Sequence, residues 1–371
     1  MEKIPLSSPD IGPKEIELIN QVLKTPYVSM GPMVPRFEEA VAHYVGVEHA
    51  VAVSSGTSGL HLAVIAAGIR EGDEVITTPF SFVASANCIL YERGIPVFVD
   101  VHPESFNIDV EKIEEKITPR TRAILPVHVF GQPCAMDKIM EVAGRYGLMV
   151  IEDACEAIGA KLNDRQVGTF GECGVFAFYA NKQITTGEGG ALVTDRDDWD
   201  WLFRSLRNQG RDDHGAWLRH VYLGYNYRFG ELNAALGVIQ MERIEELLGK
   251  RAQVAEWYNE RLAALELIER PYISPITTTR MSWFVYVVRI KPPANRDEVM
   301  HRLAETGIPS RPYFTPIHLQ PFYQEKFGYQ RGDFPITENL GNMSLALPFS
   351  SVMTEAQVDY VCNTLRKILQ K

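Results

Sequence analysis

The sequence predicts an α/β protein with a mostly parallel sheet in a large domain, followed by a smaller C-terminal α+β domain. Three observations lead there. Short β-like runs at 49–53, 74–78, 96–100, 122–127 and 148–152 each lie between amphipathic segments of helical spacing. A continuously helical pattern then occupies about 229–265, and a strand and two further helices follow a break rich in proline and threonine.

The five early runs are short and apolar, as strands covered on both faces must be, and their alternation with helices is the pattern of parallel crossovers. Two more strands, near 174–179 and 190–194, flank a glycine-rich turn. In the long helical stretch Leu232, Ala235, Leu236, Val238 and Ile239 recur at the spacing of one helical face, so it reads as a connection packed along the large domain. Pro271, Pro275 and Thr277-Thr278-Thr279 mark a boundary, and the expected domains are 1–265 and 266–371. Beyond it, Trp283-Phe284-Val285-Tyr286-Val287-Val288-Arg289-Ile290 is an expected strand, 296–305 a helix and 353–369 a closing helix.

At 371 residues the chain can bury a substantial core. Its formal net charge of −10 argues against a general nucleic-acid or membrane-surface role, because polyanions need a concentrated basic face. No stretch approaches the ~20 apolar residues of a membrane span. The start Met1-Glu2-Lys3-Ile4-Pro5 has no apolar signal-peptide core, so the expected location is the cytoplasm. Cys88, Cys134, Cys155, Cys173 and Cys362 are scattered without a C-x-x-C pair and are expected to be reduced and mostly buried, with no metal.

Chemistry enters at Lys182, in the run Phe178-Tyr179-Ala180-Asn181-Lys182-Gln183-Ile184-Thr185-Thr186-Gly187-Glu188-Gly189-Gly190. A lysine at a strand end usually snorkels to solvent. An apolar pocket instead favours the neutral amine, which can attack a carbonyl to form a Schiff base, and a permanent carbonyl partner would be pyridoxal phosphate. Such a site also needs a carboxylate beside the pyridine nitrogen and a phosphate cradle. Asp153, closing the apolar run Leu148-Met149-Val150-Ile151-Glu152, stands at the carboxyl end of a parallel strand, where open α/β sheets bind ligands. Taken alone, it could as well cap the next helix. The stretch Ser54-Ser55-Gly56-Thr57-Ser58-Gly59 turns a strand into an apolar helix, whose free N–H groups would suit a phosphate; an ordinary Ser or Thr cap is the competing reading. Phe82, in Thr77-Thr78-Pro79-Phe80-Ser81-Phe82-Val83, could stack on a planar ring or belong to the core. Any one of these segments could be structural, but all occur in one chain.

Together they resemble the DegT-type sugar aminotransferases, pyridoxal phosphate enzymes of fold type I that act on nucleotide-linked keto sugars. The resemblance runs from Gly31-Pro32 and Phe37-Glu38 to Leu345-Ala346-Leu347-Pro348. It implies Lys182 as the Schiff-base lysine, Asp153 as the pyridine partner, Phe82 as the stacking ring, and Gly56, Thr57 and Ser58 at the phosphate. It also implies that Gly224-Tyr225-Asn226-Tyr227-Arg228 reaches the neighbouring subunit, with Asn226 near its phosphate, in a homodimer with composite sites. Two positions depart from the family pattern: Ala177 replaces a common serine, and Glu156 stands where many members carry Gln or His near the cofactor.

On the substrate side, Arg204 to His220 concentrates arginine and histidine around Trp217, as either a solvated loop or a flap in which Arg211 meets a diphosphate and Trp217 covers a sugar or base. Arg311-Pro312-Tyr313-Phe314-Thr315-Pro316-Ile317-His318 matches the family segment that approaches the substrate, which makes Tyr313 and His318 candidates. The implied reaction takes the amino group of L-glutamate through pyridoxamine phosphate to a nucleotide-diphosphate keto sugar, with Lys182 as tether and acid/base. The run 178–190 looks most like members acting at C4 of 4-keto-6-deoxy sugars, with C3 amination as the alternative. The rivals are a deoxysugar dehydratase, which would carry histidine in place of Lys182, an amino-hydroxybenzoate-type synthase, and a non-catalytic regulator that kept the fold.

Overall fold

The structure, a computed structural model, describes residues 4–212, 218–275 and 278–370. The chain opens with α1 (Pro13–Val22) and α2 (Met33–Val45), then alternates β1 (His49–Val53), α3 (Gly56–Ala66), β2 (Glu74–Thr77), α4 (Ala84–Tyr91), β3 (Ile95–Phe98), β4 (Thr121–Ile124), α5 (Met136–Tyr146) and β5 (Met149–Asp153). A small hairpin, β6 (Lys161–Leu162) and β7 (Arg165–Gln166), precedes β8 (Cys173–Ala177), β9 (Gly190–Thr194) and α6 (Asp197–Arg207). Helix starts and stops follow local chemistry. Ser55 caps α3 by accepting from the Ser58 N–H at 3.1 Å, and α2 ends where Gly46 takes φ +84°.

One seven-stranded sheet results, in the order β1-β9-β8-β5-β4-β2-β3. From β3 to β8 the neighbours are parallel, whereas β9 runs antiparallel to both β8 and β1. Gly190 therefore pairs with Val53 on one side and Ala177 on the other. The strand ends at Val53, Asp153 and Ala177 and the start of β9 thus share one edge, the carboxyl end of the parallel strands. β4 stops at Ile124, short of the expected 127, in keeping with Pro126, which has no N–H to offer a ladder.

The expected continuous helix is two helices, α7 (Glu231–Glu242) and α8 (Ile244–Leu262), broken at Arg243 (φ −101°, ψ 3°). Arg243 bonds back to Glu15 at 2.6 Å and Asp10 at 2.9 Å, which ties the N-terminal segment to the break. Residues 268–370 add β10 (Ile268–Glu269), β11 (Thr278–Arg280), β12 (Tyr286–Ile290), α9 (Arg296–Glu305), α10 (Pro321–Phe327), α11 (Pro335–Met343), β13 (Ser344–Leu347) and α12 (Glu355–Leu369). β12 is shorter than the expected 283–290, because Trp283 takes φ +52° and breaks the extended run.

The antiparallel sheet β10-β12-β13 packs with α8, α9 and α12 around Tyr258, Tyr286, Val288, Leu303, Leu345 and Leu365. This core is separate from the one under α3 and α4, and β11 joins the hairpin β6-β7 instead. All five cysteines are free thiols. Among the described residues no helix is long and apolar enough to cross a membrane.

Candidate active site

A cavity of about 450 Å³ opens at the carboxyl edge of the large sheet, a size suited to a small organic group. Its floor begins with the turn into α3. Ser55 and Ser58 cap each other reciprocally: the Ser58 N–H donates to Ser55 Oγ, and the Ser55 N–H donates to Ser58 Oγ at 3.0 Å. The first-turn N–H groups of Gly56 and Thr57 have no acceptor within the helix, and both residues line the cavity. A side chain at position 56 would not fit, since its Cβ would lie 2.7 Å from that of Ala177 and 2.8 Å from Cys155 Sγ. Ser58 itself is buried beneath the turn, with its hydroxyl bonded to Ser55 O at 2.7 Å; Ser55 lines the cavity instead.

Asp153 ends β5 with both carboxylate oxygens engaged. Oδ2 accepts from Ser85 Oγ at 2.7 Å, and Oδ1 accepts from the Cys155 N–H at 3.1 Å. Those bonds fix the plane of a buried carboxylate that still borders the cavity. Phe82, in the loop before α4, is 61% exposed and forms part of the wall.

Lys182 follows β8 in a tight excursion of the chain. Its own N–H donates to Tyr179 O at 2.9 Å, and the Thr186 N–H returns to Phe178 O at 2.9 Å. The base of this loop is pinned from α7: Asn233 Nδ2 donates to Thr186 O at 2.7 Å, and Gln240 Oε1 accepts from the Thr185 N–H at 3.2 Å. The lysine side chain is 12% exposed, with Nζ 3.7 Å from Glu156 Oε1 and 3.8 Å from the centre of the Phe284 ring.

Glu156 is buried, its Oε2 accepting from the Phe130 N–H at 2.9 Å. Burial pushes its carboxyl above the usual glutamate range, and the Lys182 ammonium works against that rise. Phe284, Tyr313 and Phe314 close the cavity from the later part of the chain, and burial raises the Tyr313 hydroxyl to about 12.

The structure thus brings Lys182, Asp153, Glu156, Gly56, Thr57, Phe82 and Tyr313 around one space. Arg211 does not line it; its backbone pairs with His220 on the far stretch of the 208–220 segment. Asn226 is exposed, outside the cavity of its own chain, and its backbone pairs with Asn208. Trp217 lies outside the described residues. His318 is fully buried, 3.1 Å from Glu338 Oε1 and packed on the Phe334 ring, and burial lowers its pKa. Ser55, Ser85 and Phe284 were not expected from the sequence. Ser55 stood in the expected turn as a candidate cap, Ser85 stood one helical turn beyond Phe82, and Phe284 carried no signal.

A family model described as the DegT/DnrJ/EryC1/StrS aminotransferase family matches residues 9–366. The chain is 40% identical over 373 residues to a GDP-perosamine synthase of Caulobacter vibrioides, covering 100% of this chain and 99% of that one. Among solved structures it superposes on S. venezuelae DesV with a TM-score of 0.93 at 32% identity. It superposes equally, at 0.93, on Helicobacter pylori PseC, an aminotransferase involved in the biosynthesis of pseudoaminic acid, at 26% identity. Each pairing covers 100% of both chains.

Proposed function

We infer the activity from one premise: the chain belongs to the DegT/DnrJ/EryC1/StrS aminotransferase family. It is a pyridoxal phosphate-dependent aminotransferase that aminates nucleotide-linked sugars. The finer reading is our proposal. The amino donor is L-glutamate, released as 2-oxoglutarate, and the acceptor is a nucleotide-diphosphate 4-keto-6-deoxy hexose aminated at C4. The observation that carries it is end-to-end 40% identity to a GDP-perosamine synthase, a protein named for a nucleotide-linked amino sugar. The run 178–190 supports C4 over C3.

The residues present fit the cofactor. The cradle is too tight for a side chain at position 56 yet presents the free N–H groups of Gly56 and Thr57, and a fixed carboxylate and a lysine face the same space. When bound, pyridoxal phosphate supplies a carbonyl carbon that exchanges amines and a ring that accepts electron density from the carbon losing its proton.

Gly56 and Thr57 would hold its phosphate at the positive end of α3, with Ser58 fixing the turn from below. Asp153, its plane set by Ser85, would keep a proton on the pyridine nitrogen. Phe82 would cover one ring face. Lys182 Nζ would tether the group and, once released, take the proton from the amino-bearing carbon of glutamate. Glu156 Oε1 is close enough to share the ammonium's charge. Tyr313 and Phe314 would exclude water from the sugar side.

We also propose a homodimer. Asn226 projects outside its own cavity from a segment whose Leu223 is 88% exposed, and Ile16, Tyr27 and Val28 add exposed apolar surface. We assign residues 1–265 and 266–371 to two domains, and the enzyme to the cytoplasm, where glutamate and nucleotide sugars would meet it. Incubation with L-glutamate and matched 3-keto and 4-keto nucleotide sugars, with the new amine located by NMR, tests the acceptor; amination of the 3-keto sugar alone would overturn the C4 reading.

A further inference from the structure

Arg251, on α8, is buried inside the protein with no carboxylate bonded to it among the described residues. A buried guanidinium ordinarily needs an acidic partner, because its charge is costly to strip of water. Here the charge is met by carbonyl dipoles. Nη2 donates to Asn181 O and Lys182 O, each at 3.1 Å, and reaches Phe284 O at 3.5 Å.

The first two carbonyls belong to the lysine and the residue before it. The third belongs to the residue whose ring lies 3.8 Å from the lysine amine. One guanidinium therefore fastens the root of the lysine side chain and the ring that faces its tip. It does so from α8, although β8 and β12, the strands nearest to the two sides, lie in different sheets. The guanidinium also lies 5.4 Å from the centre of the Phe349 ring, and burial lowers the arginine to about 10.

We propose that Arg251 is a positioning residue: it sets the direction in which Lys182 Nζ enters the cavity by holding the lysine loop and Phe284 in one frame. All three contacts are made by one nitrogen, Nη2, whose two N–H bonds serve Asn181 O and Lys182 O and leave Phe284 O the longest contact, and the shorter lysine chain would have to bring its ammonium to that same point. The proposal rests on the reading of Lys182 as the tether.

The experiment separates lysine positioning from general integrity. Apo-protein of the wild type, Arg251→Lys and Arg251→Met is mixed with pyridoxal phosphate, attachment is trapped with borohydride over time, and the label is mapped. In parallel, the affinity for pyridoxamine phosphate is measured, which needs the cradle but no lysine bond. Expected is attachment slowed more than tenfold in Arg251→Met and two- to tenfold in Arg251→Lys, with pyridoxamine phosphate affinity unchanged within twofold in both.

Wild-type attachment rates in either folded variant would overturn the proposal, and so would parallel loss of attachment and of pyridoxamine phosphate affinity. The lysine variant, which keeps the charge, decides the matter should the methionine variant fail to fold. Wild-type label on any residue other than Lys182 would instead sink the assignment of the tether.

Discussion

Lys182 Nζ stands between Glu156 Oε1 at 3.7 Å and the face of Phe284 at 3.8 Å, so the amine is flanked by a carboxyl group on one side and an apolar ring on the other. A cation over a desolvated ring gains up to ~2 kcal/mol, enough with the carboxyl group to hold the side chain in one direction before any ligand arrives. Lys182→Ala is expected to stay folded, because the loop is pinned through its backbone, and to lose turnover by at least ~10²–10⁴-fold, the range of a positioned acid/base. Borohydride labelling of the wild type followed by peptide mapping checks the assignment.

Ser85 fixes the plane of Asp153 through a hydrogen bond to a carboxylate, a kind of bond worth ~1.5–3 kcal/mol. Ser85→Ala should therefore weaken cofactor binding by at most roughly ten- to a hundredfold, and Asp153→Asn should cost more turnover than affinity. Equilibrium dialysis beside steady-state kinetics separates the two effects.

Gly56→Ala is expected to abolish cofactor binding while leaving a folded protein, since the added methyl meets Ala177 and Cys155 inside the cradle. Ala177→Ser, by contrast, adds a hydroxyl on the cavity wall and should leave affinity equal or tighter. A serine variant that loses cofactor would mean that the end of β8 is set differently from its relatives.

Glu156 has a folded-state pKa raised by burial, so the folded protein holds its proton more tightly than the unfolded chain does. The stability this contributes is fully present below the usual glutamate pKa of ~4.3 and is lost as pH rises through the folded value. Glu156→Gln removes that dependence. The difference in melting temperature of the apo-proteins, variant minus wild type, should become more positive from about pH 4 to about pH 7; a flat or falling difference would contradict it.

If Asn226 serves the partner's site, co-refolded Lys182→Ala and Asn226→Ala chains should regain tight cofactor binding in about a quarter of the sites, the share expected when half the dimers are mixed and each carries one intact site. Sedimentation of a fully active monomer would rule the composite site out.

Much of this geometry was legible because it is local. Gly56, Thr57, Asp153 and Lys182 each sit where an apolar strand turns, and parallel crossovers deliver such turns to one edge. Phe284 was not legible and Ser85 only as a position one turn beyond Phe82, for their partnerships with Lys182 and Asp153 join segments far apart in sequence. The break at Arg243 was hidden for a similar reason: apolar spacing continues through it, while the residue at the break pairs with Asp10 and Glu15, far away in sequence. His318 drew attention as a lone histidine in a matched segment, and its buried bond to Glu338 is the kind of pairing that neighbours in sequence do not announce.

The cavity's parts fall unevenly along the chain. Its turn into α3, fixed carboxylate and lysine come from residues 55–189, and its closing rings Phe284, Tyr313 and Phe314 from far downstream. Inheritance can thus act on the two halves separately, with drift in the later third reshaping what the enzyme admits while the reactive apparatus stays as it was. Phe284 is the seam of that division. Because its ring faces Lys182 and its carbonyl meets the same arginine that holds the lysine loop, any graft of a foreign C-terminal third would have to bring a matching aromatic there to remain a working hybrid.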